Sequence, residues 1–340
     1  MPQLTRRAWM SLLAAAAPAT MAAPLSAYQV RRPTVVNGRR YLQYDVFTDK
    51  PLAGNQLAVF TDTAGLTAAQ MQAMTRETKF SECTFVQPAE APGTDVRLRI
   101  FGPNNEMQFA GHPVIGSTFA LADDGVIAAG RKEFTFGLGI GPTLVELEWA
   151  ADGADRTGRL RFAWMTQRNP VFGPTLNAPA ALAGTLGIDQ AALHPKLLPQ
   201  EVNCGSAFFF VPLVSRAAVD QAVIDTRAAA AMFEAAKITR RGLFIFSTEP
   251  GADGATCYSR MMGANEDPAT GSASGPLGCY LVKHGLVPAD KAGTIVSAQG
   301  VKMGRPSRIH IKIDLAGGEI SRVRVGGTSV LVGEGQLRSS

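Results

Sequence analysis

Charge is scarce in this chain of 340 residues. Asp, Glu, Lys and Arg make up 18% of it, against 46% apolar residues. A disordered chain needs the opposite balance, so the sequence reads as globular, and it is long enough to bury a large core. Cysteine and histidine are rarer still, at four each. Cys83, Cys204, Cys257 and Cys279 include no Cys-x-x-Cys pair and match no zinc spacing, so no metal is expected. Cys83, Cys257 and Cys279 sit in apolar stretches, which points to buried free thiols rather than a structural disulfide. Neither the Gly-x-x-x-x-Gly-Lys-Ser/Thr loop nor a Gly-x-Gly-x-x-Gly turn after a strand is present, which removes the common phosphate cradles.

Acidic residues are missing altogether from residues 1–40, where Arg6, Arg7, Arg31, Arg32, Arg39 and Arg40 lie. Those six arginines exceed the net charge of +5, so the rest of the chain is close to neutral. No basic stripe with interleaved aromatics remains, and a nucleic-acid partner is not expected. The paired Arg6-Arg7 precede a short apolar run, Leu12 to Ala17, and then small residues up to Ala27. This segment resembles a twin-arginine export signal, and its apolar run is too short to span a bilayer. Residues 1–27 are therefore read as a leader and 28–40 as a linker. A periplasmic location without stable membrane association is expected once the leader is removed.

Two stretches are versions of one another. Asn105-Glu106-Met107-Gln108-Phe109-Ala110-Gly111-His112 and Asn265-Glu266-Asp267-Pro268-Ala269-Thr270-Gly271-Ser272 lie 160 positions apart. The correspondence runs without a gap from about residue 82 to 121, and a strand precedes and an apolar helix follows each copy. Such duplication predicts two similar halves with a site at their junction. The fold expected is α+β: two pseudo-symmetric halves, each a curved, mostly antiparallel sheet wrapped around a central helix. The polar stretch Gly153–Gly158 marks the boundary, giving a first domain over 41–155 with a closing strand at 328–336, and a second over 156–327. Thr67 is expected to cap a helix through Thr78, and Ala217–Ala236 reads as one helical segment.

Chemistry is to be sought where the halves differ. His112 before Pro113, and Ser272 before Ala273, are read as helix N-caps. Two helix N-termini facing across a cleft suit a carboxylate, though the same residues could simply cap their helices. Glu82 enters an apolar strand opposite Gly242 of the other half. In a cleft its pKa would rise toward neutrality, as a proton-moving group needs; at a strand edge it would merely be solvated. Asp267, in the place of Met107, can orient a histidine, hold an amine or belong to a turn. Recurrence of Asn105, Glu106, Asn265 and Glu266 favours a scaffold role for them. Gly271-Ser272-Ala273-Ser274-Gly275 fits the pattern of a hydrolase elbow, but Ser274 falls inside the expected helix rather than at its tip.

Five motifs carry a family resemblance. Tyr44-Asp45-Val46-Phe47 through Pro51-Leu52-Ala53-Gly54-Asn55, Phe80-Ser81-Glu82-Cys83, Gly111-His112-Pro113 and Glu266-Asp267 through Gly271-Ser272 resemble the phenazine-biosynthesis PhzF-like isomerases. So does Gln299-Gly300 with Gly304-Arg305-Pro306-Ser307, and the likeness spans residues 41 to 336. It implies a diaminopimelate epimerase-like fold. It also implies a cofactor-free isomerase acting on a small carboxylated, cyclic or dihydroaromatic substrate, and a homodimer. Glu82 would shuttle the proton, with His112, Asp267 and Ser272 completing the catalytic set. Asn55, Ser81, Gly111, Thr270 and Gly271 would contact substrate. The related epimerases carry a cysteine at each helix start, where this chain has His112 and Ser272, so two-thiol racemisation is unavailable. Proton transfer at an amino-acid α-carbon, or carboxylate binding without catalysis, are the alternatives.

Overall fold

The computed structural model describes residues 38–151, 158–239, 242–263 and 265–338. The leader, the linker up to residue 37, and most of the boundary at Gly153–Gly158 lie outside them. The chain opens with β1 (Gly38–Val46), β2 (Asn55–Phe60), α1 (Ala68–Thr78), β3 (Cys83–Pro88), β4 (Val96–Phe101), β5 (Glu106–Met107), α2 (Gly111–Asp123), β6 (Glu133–Leu138) and β7 (Gly141–Trp149). It continues with β8 (Leu160–Gln167), β9 (Val171–Thr175), α3 (Pro179–Leu186), β10 (Gln200–Asn203), β11 (Ala207–Pro212), α4 (Arg216–Gln221), α5 (Thr226–Ala235), β12 (Gly242–Ser247) and β13 (Cys257–Met262). Last come α6 (Gly271–Lys283), β14 (Ile295–Gln299), β15 (Ser307–Ala316), β16 (Glu319–Gly327) and β17 (Ser329–Arg338).

The same succession of pairings occurs twice. β2 runs parallel to β3, β3 antiparallel to β4, β4 parallel to β6, and β6–β7–β8 form an antiparallel meander. Likewise β11 is parallel to β12, β12 antiparallel to β13, β13 parallel to β14, and β14–β15–β16 is an antiparallel meander. β8 then pairs with β16, and β17 returns beside β1, so strands from both ends of the chain share one sheet. Each succession encloses one helix. α2 is buried on all sides from Gly111 to Leu121, and α6 from Ala273 to Leu281. A helix apolar all round belongs inside. α2 packs in the cluster of Tyr44, Phe134, Phe136 and Met165; α6 packs in that of Phe210, Phe244, Ile311 and Val323.

Three local readings need correction. β1 already begins at Gly38, inside the stretch read as linker, because Gly38–Arg40 pair with Gln336–Arg338 of β17. The segment Ala217–Ala236 is two helices. Ala222 is extended and the Asp225 side chain caps α5 by accepting from the N–H groups of Arg227 and Ala228. The N–H groups of Val223 and Asp225 are spent on Leu186 and Thr185 at the end of α3, which holds the break open. The third correction concerns the helix caps of the site, described below. Thr67 does cap α1, in a reciprocal capping box with Gln70.

Candidate active site

The N-termini of α2 and α6 meet head to head. A Cβ placed on Gly111 would lie 2.3 Å from the Ser272 backbone nitrogen and 2.4 Å from the Gly271 carbonyl carbon. Only glycine permits that approach. The N-caps are Ala110 and Thr270, so His112 and Ser272 are second residues of their helices rather than caps. Neither cap supplies a side-chain hydrogen bond. Two positive dipole ends thus abut with uncapped first turns, an arrangement an anion relieves.

His112 is buried at this junction, with 3% of its side chain exposed, and Glu82, just ahead of β3, retains 18%. Glu82 Oε2 lies 3.2 Å from His112 Nε2. The approach is oblique: among the described residues neither atom has a well-aligned hydrogen-bond partner. Burial raises the Glu82 pKa above the usual carboxylate range, against a smaller opposing effect of Ser81. Burial pushes the His112 imidazole down to about 4, so it is neutral near pH 7. Asp267 is also raised, first by burial and then by the charge of Glu82. The site therefore holds two carboxyl groups that resist ionisation and an uncharged histidine. A carboxyl group held back from ionisation is suited to giving a proton as well as accepting one.

Asn55, the first residue of β2, ties these groups together. Its amide nitrogen Nδ2 is 3.0 Å from His112 Nδ1, and it donates to Asp267 Oδ1 at 2.6 Å and to the Ala269 carbonyl at 3.0 Å. Thr270 Oγ1 donates to Asp267 Oδ2 at 2.7 Å, and Ser81 Oγ lies 3.4 Å from Asn55 Oδ1. The Gly271 carbonyl accepts from Gln167 Nε2 at 3.0 Å. The residues expected from sequence thus converge, but Asn55 bridges the others rather than standing free for a ligand. Ser274 is fully buried inside α6, its hydroxyl donating to the Thr270 carbonyl at 2.9 Å, and is no exposed nucleophile.

Further residues hold this arrangement. Gln299 accepts from the Thr270 N–H at 3.0 Å and donates to the Asp267 carbonyl at 2.7 Å. Arg305 reaches Asp45 Oδ1 at 2.6 Å and the carbonyls of Ala53 and Gly54 at 2.8 Å, pinning the turn before Asn55. Glu106 and Glu266 each receive a two-pronged arginine from the preceding strand, Arg99 and Arg260 respectively. All four cysteines are buried and free.

A family model described as phenazine biosynthesis-like protein, PhzC-PhzF, matches residues 44–335. An uncharacterized isomerase of Mesorhizobium japonicum is 33% identical over 316 residues, covering 88% of this chain and 98% of that one. The trans-2,3-dihydro-3-hydroxyanthranilate isomerase of Pseudomonas aeruginosa is 34% identical over 298 residues, covering 87% and 98%. A PhzF-family phenazine biosynthesis protein of Bacillus anthracis superposes with a TM-score of 0.75 at 22% identity, over 89% of this chain and 99% of that one. The fold is of the diaminopimelate epimerase-like class. The chain belongs to the PhzC-PhzF family and is an isomerase.

Proposed function

We propose that the protein isomerises a small carboxylated substrate, cyclic or dihydroaromatic, by moving a proton between carbons through Glu82, without a cofactor. The observation that carries the reading is the raised Glu82 carboxyl 3.2 Å from a buried neutral His112, where two uncapped helix N-termini abut. The substrate carboxylate rests on the N–H groups of those first turns, with Ser272 at its side. Burial raises the Glu82 carboxyl above the usual carboxylate range and so favours its protonated form, which can donate at one carbon and recover a proton from another. Asp267, held by Asn55 and Thr270, orients His112 and meets a polar substituent of the ring.

The similarity to a trans-2,3-dihydro-3-hydroxyanthranilate isomerase names the first compound to try. Incubation with that acid, with other dihydroaromatic acids and with amino acids in D2O, followed by NMR, tests the reading. Deuterium at a ring carbon of a rearranged product supports it. Wash-in at an α-carbon, or tight binding without exchange, contradicts it and favours an epimerase or a binding protein. Export by the leader and a homodimeric assembly are proposed alongside; fractionation of cells expressing the full chain, and light scattering of the purified protein, test them.

A further inference from the structure

The strand pair that joins the two halves keeps the spacing of 160 residues. Ala163 pairs with Gly327, Met165 with Val325 and Gln167 with Val323, a register centred on the Met165–Val325 pair. Gln167 and Gly327 are therefore equivalent positions, the last of β8 and of β16. They differ in what they offer a helix tip. Gln167 is buried, 6% exposed, and its Nε2 donates to the Gly271 carbonyl at 3.0 Å. Gly327 has no side chain with which to reach the Gly111 carbonyl, and the Phe47 ring fills the space: a Cβ there would lie 2.5 Å from Phe47 Cδ1. Of the two equivalent positions, only the one beside α6 supplies a brace.

That brace does little for the fold. The helix itself presents the Gly271 carbonyl with the N–H of Gly275, four residues on. Gln167 Oε1 is buried without a hydrogen-bond partner among the described residues, and a Cβ on Gly275 would lie 2.0 Å from it. The amide cannot be turned round, because a backbone carbonyl only accepts. An unpartnered buried oxygen costs at least as much as one neutral hydrogen bond returns. The Gly271 carbonyl and the Ser272 N–H, however, belong to one peptide group. A bond accepted at the oxygen polarises that group, strengthens its N–H as a donor and holds its plane. The Ser272 N–H has no acceptor among the described residues, and its nitrogen sits where the two helix tips abut. We infer that Gln167 is a positioning residue that readies the Ser272 N–H for the substrate carboxylate, so that α6 rather than α2 is the tip that holds the anion. This inference rests on the carboxylate binding at the junction, as in the function proposed above.

Gln167→Met removes the donor and keeps the bulk. Calorimetric titration with anthranilate, whose aromatic ring cannot isomerise, and with 2-aminobenzamide, the same ring without a carboxylate, reads the anion's share of the affinity. Wild type is expected to prefer the acid. The variant is expected to lose about threefold or more of that preference, to bind the amide as before, and to melt within about 5 °C of wild type. A preference kept in full by the variant overturns the inference and leaves the proposed function standing. A wild type that does not favour the acid removes the carboxylate site and the inference with it. If Gln167→Met and Gln167→Leu both melt further below wild type, or do not fold, the amide serves the fold and the inference fails. A second reading needs no ligand. In protein labelled with nitrogen-15 serine, the Ser272 amide signal, identified by its loss in Ser272→Ala, is expected to move upfield in Gln167→Met; a signal that stays in place overturns the claim.

Discussion

Replacing Gly111 with alanine puts a methyl group where there is no room for one. The new Cβ would lie 2.3 Å from the Ser272 nitrogen, 2.4 Å from the Gly271 carbonyl carbon and 2.5 Å from the Gly271 Cα. Carbon contacts settle at roughly 3.5–4.0 Å, so the helix ends must part by about 1 Å or more. All three obstructing atoms are backbone, and no flexible side chain can swing aside. Overpacking a tight core costs about 1–3 kcal/mol, and this site belongs at the upper end. For a protein of this size that is a fall in Tm of roughly 3–5 °C. A shift of about 1 Å in catalytic geometry lowers turnover by roughly a hundredfold. Gly184→Ala is the control. Gly184 is exposed on α3 with nothing within 4 Å of its Cβ position, so alanine there is expected to stabilise by up to about 1 kcal/mol. Differential scanning fluorimetry and circular dichroism compare the three proteins. If Gly111→Ala melts with the wild type and keeps its turnover, the helix tips do not abut and the geometry argued for the anion site is wrong.

Other consequences are equally open to measurement. Arg305→Met leaves the buried Asp45 carboxylate, which is 1% exposed, with the Leu52 N–H but without its counter-charge, and should cost about 3 kcal/mol in denaturant titration. His112, with its pKa pushed from the ordinary value of 6.5 to about 4, contributes stability that is present above 6.5 and lost as pH falls toward 4. Up to about 3 kcal/mol is at stake in that window, so His112→Asn should lose less stability than the wild type between pH 7.5 and 4.5. Glu82 and Asp267 have raised values, and their contribution has the opposite sign: it is lost as pH rises through the folded pKa. The difference between variant and wild type isolates the histidine. All four thiols should resist an aromatic disulfide reagent in the native protein and react in denaturant; rapid native reaction of any of them contradicts the packing.

Much of the fold was legible because it is local. Thr67 and Gln70 announce the start of α1, and Pro179 with Gly187 bracket α3. The duplicated motif located both central helices, since apolar residues on every side of α2 and α6 leave no solvent face. What failed depended on partners elsewhere in the chain. His112 and Ser272 look like caps because a Gly followed by a Pro or a small residue is a common helix start. The helices begin earlier because Gly111 and Gly271 must lie in the first turn to let two backbones touch. That contact between residues 160 positions apart has no local trace. The break at Ala222–Asp225 likewise depends on α3 taking two N–H groups. At the site, the recurrence of Glu106 and Glu266 pointed to a scaffold, and their arginine partners supply its mechanism. The brace from Arg305 and the bonds of Asn55 to the Asp267 loop join segments more than two hundred residues apart, Asn55 meets His112 across 57 residues, and Gln299 meets the Asp267 loop across 29 to 32. No pattern in either segment alone could reveal them.

Proton transfer by a single carboxyl group is the claim on which the rest turns, and removing that group while keeping its shape tests it. Wild type and Glu82→Gln are each followed in D2O with trans-2,3-dihydro-3-hydroxyanthranilate by proton NMR, with Tm measured on both. The account predicts ring deuteration and rearrangement by the wild type, and loss of both by at least about a hundredfold in the variant, which still folds. Undiminished deuteration by the glutamine variant would contradict it.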